Sequence, residues 1–377
     1  MTTLYRRLAL LTQGGLDIYR NKTAMGMLRF RPDDVVCVID AKHAGQDLQA
    51  LTGVGAGIPI LATVQEAVEL GIDWLVIGIA TPGGYLPDDL KIQVYDAIRQ
   101  RIGIISGLQE SIAGDPNMVA LAARYAIELV NLRKLPNEDF PIGKALARET
   151  TAYRVLVVGT DASIGKTTVA LELTRHLEAR GIKARFVCTG QDGKLVTGRG
   201  VCVDRVISNF ASGAVERSVL SEARHGDILI IEGQDALLSP PYSGVALSLL
   251  HGSCPDAMIL CHAPTRTHHR HTDVAIPPLP VYRRLYEEML APLHPGKVVA
   301  VALNTLGLDL KNAQAEIDAA RKVTGLPCAD VVRDLTGNRG CAELADAVLA
   351  AWESAGAERR GHSKSRSKAK SKASAKR

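Results

Sequence analysis

The run Arg154-Val155-Leu156-Val157-Val158-Gly159-Thr160-Asp161-Ala162-Ser163-Ile164-Gly165-Lys166-Thr167-Thr168 couples an apolar strand to a glycine-bounded turn and a helix that starts with Lys-Thr-Thr. Backbone amides in such a turn and at the head of the next helix converge on one point of partial positive charge. Lys166 adds a full charge beside them, and the chemistry this suits is phosphate binding. Gly159, Thr160, Ser163, Gly165, Lys166, Thr167 and Thr168 make up the expected cradle, and Thr167 would offer its hydroxyl to Mg2+ if the ligand is a nucleoside triphosphate. The usual spacing places the first glycine at position 160; Thr160 stands there, and Gly159 lies one residue early. The phosphate belongs either to ATP or to another phosphorylated cofactor such as coenzyme A, since both carry a pyrophosphate.

Three further groups bear chemistry. Ile228-Leu229-Ile230-Ile231-Glu232-Gly233-Gln234 is an apolar strand ending in an acid, the arrangement that aims a carboxylate at metal or nucleophilic water beside a phosphate loop. Thr167 and Glu232 are metal ligands only if ATP and Mg2+ are used. Thr189-Gly190-Gln191-Asp192-Gly193-Lys194, with Gly200-Val201-Cys202-Val203-Asp204 close behind, reads either as a polar-substrate loop carried by Gln191 and Asp204 or as a glycine-rich surface loop. Arg266, His268, His269, Arg270 and His271 form a dense basic loop whose histidines lack a partnering acid, so a carboxylate or phosphate is the better ligand for it than a metal.

The elements that must position these residues alternate between strand and helix. In the first part of the chain apolar runs stand at 9–11, 35–40, 58–62, 74–78 and 102–106, with helical patterns at about 64–71 and 87–101. A long amphipathic helix is expected over 117–135, before the domain boundary near residue 148. Beyond it, strands are expected at 184–188, 227–232, 256–261 and 297–303. The pattern predicts an α/β protein of two parallel sheets: a Rossmann-like domain at 1–148, a P-loop NTPase-like domain at 149–356, and a disordered basic tail at 357–377. Carboxyl ends of such strands hold ligands, here Gln13-Gly14-Gly15, Asp40, Thr81-Pro82-Gly83-Gly84 and Ser106-Gly107-Leu108-Gln109. Asp40 reads equally as a ribose-binding acid or as a helix cap. No Gly-x-Gly-x-x-Gly follows the first strand, so a nicotinamide cofactor is not indicated.

Composition sets the class. The 377 residues are 46% hydrophobic, enough for two cores, and no apolar run is long enough for a membrane span or a secretory signal. A cytoplasmic protein is expected. Its seven cysteines are scattered with no Cys-x-x-Cys pair, which predicts buried reduced thiols. The net charge of +5 comes from the tail, where residues 359–377 hold nine Lys/Arg and no acid; the remaining 36 basic and 40 acidic groups leave the body at −4. The tail has no aromatic or base-reading residue, so no specific nucleic-acid partner is expected, and the chain is expected to act on a small molecule as a homo-oligomer.

Gly159-Thr160-Asp161 with Gly165-Lys166-Thr167 resembles the loop of dethiobiotin synthetase, in which an acid inside the loop takes part in substrate chemistry. Joined to Thr189-Gly190-Gln191, Gly200-Val201 with Asp204, Ser212-Gly213-Ala214 with Glu216, and Glu232-Gly233-Gln234, it is similar over nearly the whole chain to a two-domain family long of unknown function and associated with D-glutamate N-acetyltransferase activity. Asp192 departs from that pattern, where a small hydroxyl residue is expected. The resemblance implies acetyl transfer from acetyl-CoA to the amino group of a small acidic amino acid. Lys166 would clamp a phosphate of the cofactor, and Glu232 or Asp161, with Asp204 third, would take the proton of the acceptor amine. Loop amides or Gln234 would supply oxyanion donors, and Arg266 or Arg199 would meet the acceptor's carboxylates. The alternatives are an ATP/Mg2+-dependent ligase or kinase acting on a small carboxylic acid, with Asn304 reading adenine, and a non-catalytic nucleotide-binding switch.

Overall fold

Strands buried on both faces need apolar residues at successive positions, and the strands at 8–11, 35–39 and 153–159 are of this kind. A computed structural model describes residues 4–12, 14, 16, 21–136, 139–333 and 339–374, with side chains up to residue 357. Gln13 and Gly15, expected at a sheet edge, lie outside the described residues, as do the tail side chains from 358 on.

The first half runs β1 (Leu8–Leu11), α1 (Lys22–Phe30), β2 (Val35–Ile39), α2 (Leu48–Thr52), β3 (Ile60–Leu61), α3 (Val64–Glu69), β4 (Trp74–Ile77), α4 (Asp88–Arg99), β5 (Gly103–Ser106), α5 (Pro116–Tyr125) and β6 (Leu129–Asn131). The second half runs β7 (Tyr153–Gly159), α6 (Lys166–Ala179), β8 (Ala184–Val187), α7 (Gln191–Thr197), α8 (Ser208–Glu222), β9 (Ile228–Ile231), α9 (Ser243–Ser253), β10 (Ala257–His262), α10 (Leu279–Leu290), β11 (Lys297–Leu303), α11 (Leu310–Thr324), β12 (Cys328–Asp330) and α12 (Arg339–Ser374).

Two six-stranded sheets result, ordered β3-β2-β1-β4-β5-β6 and β12-β11-β10-β7-β9-β8. The first is the doubly wound order of a Rossmann-like domain, and the second carries the phosphate loop on its β7. In the first sheet alternate residues of each strand feed opposite cores. Leu11, Ile39, Leu75 and Ile104 pack under α3, α4 and α5; Leu10, Val38, Val76 and Ile105 pack under α1.

Three sequence expectations differ from the structure, the first being the tail, expected to be disordered from 357 but continuing α12 to Ser374. The helix expected over 117–135 stops at Tyr125, because Ala126 takes a left-handed turn (φ 55°) and the chain returns as β6, pairing Leu129 with Ile104 and Asn131 with Ser106. Its apolar residues meet the sheet edge rather than a helical stripe. The third difference concerns domain limits. Compact packing groups residues 1–144 with 187–218, and 145–186 with 219–377, so the segment carrying Gln191, Asp192 and Asp204 belongs with the first unit instead of lying within a continuous 149–356.

The physical reason is α7. Its Leu195 is 1% exposed inside the α1 core, and Lys194 Nζ donates to the carbonyl of Leu132 (2.7 Å). At the head of α1, the Asp192 carboxylate accepts from Thr23 Oγ1 (2.6 Å) and pairs with Lys22 Nζ (3.0 Å). A helix head just after the first strand is where a Rossmann-like fold would receive a phosphate; here the chain's own carboxylate is seated there. Asp40 is likewise engaged within the unit, by Thr12 Oγ1, Lys42 N and His43 Nδ1.

Burial pushes the Asp192 carboxyl upward, but the Lys22 charge and the bonds from Thr23 and Lys22 outweigh it and hold the group below the usual carboxylate range. A depressed folded value stabilises the native state above the unfolded value and loses that contribution as pH falls through the folded one. Asp192→Asn is therefore expected to cost about 1–3 kcal/mol near neutral pH, with the gap to wild type closing in acid. Urea unfolding across that pH range checks it, and a gap independent of pH would refute the ionic account.

Candidate functional site

The carboxyl edge of the second sheet holds the phosphate loop, which leaves β7 at Gly159 and enters α6 at Lys166. Gly165 sits at φ 107°, a conformation closed to ordinary side chains, and a Cβ there would lie 2.5 Å from Val332 Cγ2. Lys166 is 5% exposed, and its stem lies against both Gly159 and Gly233. A Cβ on Gly233 would fall 1.5 Å from the Val157 carbonyl oxygen, so only glycine lets the end of β9 approach β7 this closely. The Lys166 ammonium donates to the Asp161 carbonyl (2.6 Å). Thr167 Oγ1 donates to Glu232 Oε1 (2.7 Å), joining the loop to the acid after β9. Thr168 and Gln234 are half-buried at the same edge.

Thr160, in the place of the usual first glycine, still behaves as strand. Its N–H donates to the Cys261 carbonyl (3.0 Å), and its hydroxyl meets His262 Nδ1 (2.8 Å). Burial pushes the His262 imidazole down to about 4, so it is neutral near pH 7. The early glycine thus reflects one extra strand residue before the turn.

Asp161 is fully buried inside the loop. Its carboxylate accepts from Arg266 Nη1 (2.7 Å) and from the Arg270 N–H (3.1 Å), and faces His269 Nδ1 at 3.4 Å. Arg266 also donates to the Ala162 carbonyl (2.7 Å). Sequence assigned Asp161 to proton transfer and Arg266 to substrate; the structure brings them together as a pair. Asn304, at the end of β11, is fully buried; its Nδ2 has no hydrogen-bond partner among the described residues and lies near Gly165.

Gln191 and Asp204 belong to the other unit and meet there through Arg133. Arg133 Nη2 donates to Gln191 Oε1 (2.7 Å), Nε donates to the Gly107 carbonyl (2.7 Å), and Nη1 is paired with Asp204 Oδ2. Gln109 Nε2 also donates to Asp204 Oδ2 (2.7 Å), while Asp204 Oδ1 is buried without a partner among the described residues. Sequence reading missed Arg133 because it placed the residue on a helix.

It also missed the tyrosines of α10. Tyr286 OH donates to the Gly159 carbonyl (2.8 Å) and accepts from Leu237 N (3.3 Å); Tyr282 OH donates to the Thr160 carbonyl (3.0 Å) and meets His269 Nε2 (3.1 Å). Burial pushes both phenols up, so they remain donors. Two tyrosines at i, i+4 in a chain only 4% aromatic were the available signal.

Among the described residues no group of three His, Cys, Asp or Glu is gathered to hold a metal, and no helix is long and apolar enough to cross a membrane. All seven cysteines are buried and none forms a disulfide. The loop amides, the buried lysine and the glycine-made space fit a phosphate group.

A Rossmann-like unit and a unit with a phosphate cradle define a two-domain α/β protein of the P-loop class. The chain belongs to the family described as domain of unknown function DUF1611: residues 141–339 match its P-loop domain and 41–135 its Rossmann-like domain. A protein of Tritonibacter scottomollicae named D-glutamate N-acetyltransferase is 35% identical over 338 residues, covering 89% of this chain and 96% of the relative. A Pseudoalteromonas protein of the same name is 35% identical over 277 residues, covering 72% and 81%. The crystal structure of a DUF1611 family protein from Anabaena variabilis is similar at TM-score 0.84 and 38% identity, covering 91% of this chain and 99% of that one.

Tyr286→Phe is expected to leave Leu237 N–H without its partner and to lower stability by about 1–3 kcal/mol. Urea unfolding and faster amide exchange at Leu237 check this; unchanged exchange would show that the phenol does not brace the loop.

Proposed function

We propose that the protein is an N-acetyltransferase that moves an acetyl group from acetyl-CoA to the amino group of a small acidic amino acid, D-glutamate by the name its relatives carry. The observation that carries the chemical side of this reading is Glu232, 2% exposed and held at the rim of the phosphate cradle by the Thr167 hydroxyl. Acetyl-CoA supplies an acetyl thioester and the phosphates that suit the loop. Gly159, Thr160, Ser163, Gly165, Thr167 and Thr168 line the cradle, and Lys166 provides the charge that holds a phosphate there.

An amino acid arrives as an ammonium ion and attacks only after losing a proton. Glu232 is the carboxylate that takes that proton. Asp161 already accepts from Arg266 and Arg270 N, so its oxygens are engaged by the hairpin. Gln234, two residues beyond Glu232, and the loop amides are donors for the oxygen that gains charge during acyl transfer. Seven buried cysteines outside any disulfide support work in a reducing compartment, the cytoplasm.

One observation favours a second reading. A P-loop threonine in direct contact with the acid after β9 is also the pair that would hold Mg2+ beside ATP, in a ligase or kinase acting on a small carboxylic acid.

Purified protein incubated with acetyl-CoA and a panel of amino acids, including both glutamate enantiomers, separates the two. Thiol release matched by a product one acetyl group heavier, abolished in Lys166→Ala, is the expected result. ATP consumption with Mg2+ and no thiol release would turn the assignment to the ligase. Glu232→Gln is expected to lower kcat by about 100-fold or more; an unchanged kcat would remove Glu232 as the base.

A further inference from the structure

The loop after β10 is built as a small hairpin. Ile276 N donates to the Thr267 carbonyl (2.8 Å), His269 N donates to the Val274 carbonyl (2.9 Å), and His268 bridges Ala275 in antiparallel fashion. His271 at its tip takes a left-handed φ of 65°. One group fastens this hairpin to the phosphate loop. The Asp161 carboxylate receives Arg266 Nη1, faces His269 Nδ1 and accepts the backbone N–H of Arg270.

The consequence is where the Arg270 side chain ends. Its Nη1 donates to Ser163 Oγ (2.5 Å), and Ser163 is itself left-handed (φ 54°), two residues before Gly165 at φ 107°. Left-handed turns of this kind direct successive N–H groups toward one concave side, the side that receives an anion. The guanidinium therefore stands at the mouth of the cradle.

Charge makes its presence useful. Two carboxylates, Asp161 and Glu232, are buried at this edge, and Arg266 and Lys166 offset them. A nucleotide diphosphate needs a net positive site, and Arg270 provides it in a form that forks onto phosphate oxygens.

We propose that Arg270 is a phosphate-binding residue of this site, and that Asp161 acts on the ligand through it, as the post that fixes the hairpin, instead of as the base. The proposal rests on the nucleotide-cofactor reading above and extends it to the phosphate groups of an adenine nucleotide. A bound phosphate would take the Nη1 proton now given to Ser163 Oγ, an exchange of one acceptor for a charged one.

The test is calorimetric titration of the full chain, as wild type, Arg270→Gln, Arg270→Lys, Asp161→Asn and Asp161→Asn with Arg270→Gln, using CoA, 3'-dephospho-CoA and ATP with Mg2+. Arg270→Gln is expected to weaken CoA binding by about tenfold or more, and Arg270→Lys to recover part of it. Asp161→Asn should weaken CoA to a similar degree, and the double variant should lose no more than the worse single one, the non-additivity of residues that act as one unit. A loss confined to CoA assigns the 3'-phosphate to Arg270; an equal loss with 3'-dephospho-CoA assigns the diphosphate. CoA affinity within about twofold of wild type in Arg270→Gln overturns the proposal. Additive losses, or Asp161→Asn abolishing turnover at unchanged affinity, overturn the part given to Asp161. If wild type binds ATP but not CoA, the acetyl-CoA reading fails, and the loss of ATP affinity in Arg270→Gln then decides Arg270 alone.

Discussion

A carboxylate buried inside an anion-binding loop repels the ligand the loop is shaped for, and a lone buried charge is costly in its own right. Asp161 creates this problem, and the parts of the second unit around it follow from its solution. Arg266, His269 and the Arg270 N–H come from one hairpin to surround the carboxylate. The hairpin is thereby tied to the loop, and its remaining guanidinium is delivered to Ser163. Beneath, the α10 tyrosines take the carbonyls of Gly159 and Thr160, which the turn would otherwise leave poorly matched. Removal of the charge at Asp161 would loosen the hairpin and, with it, the Arg270 contact to Ser163.

The two units meet the same physical situation, a helix head at the carboxyl edge of a parallel sheet, in different ways. At α1 the chain supplies its own anion, Asp192, which ties α7 to the first unit and sets Gln191 against Arg133. At α6 the Lys166 ammonium, at the head of the helix, donates to the Asp161 carbonyl of its own loop.

Much of this was legible in the chain order of residues. Strand and helix alternation, the cradle from Gly159 to Thr168, and Glu232 after an apolar strand are local patterns, each set by a few neighbouring residues whose types have one main use. The pairing of Asp161 with Arg266, separated by 105 residues, was not legible, and each was read as free for chemistry. Arg133 was hidden for a different cause: a short edge strand with Leu and Val also fits a helical pattern until a partner strand is known.

What the sequence determined by itself, then, was the class of each sheet, the phosphate cradle and the acid beside it, because backbone geometry and local side-chain type suffice to specify them. Tertiary structure alone decided which charged groups neutralise one another, which segment packs with which unit, and that Gly233 lets the end of β9 close onto Val157 of β7. Those outcomes depend on burial and on contacts between residues far apart in the chain, and a charge has no fixed role until its environment either pairs it or leaves it facing a ligand.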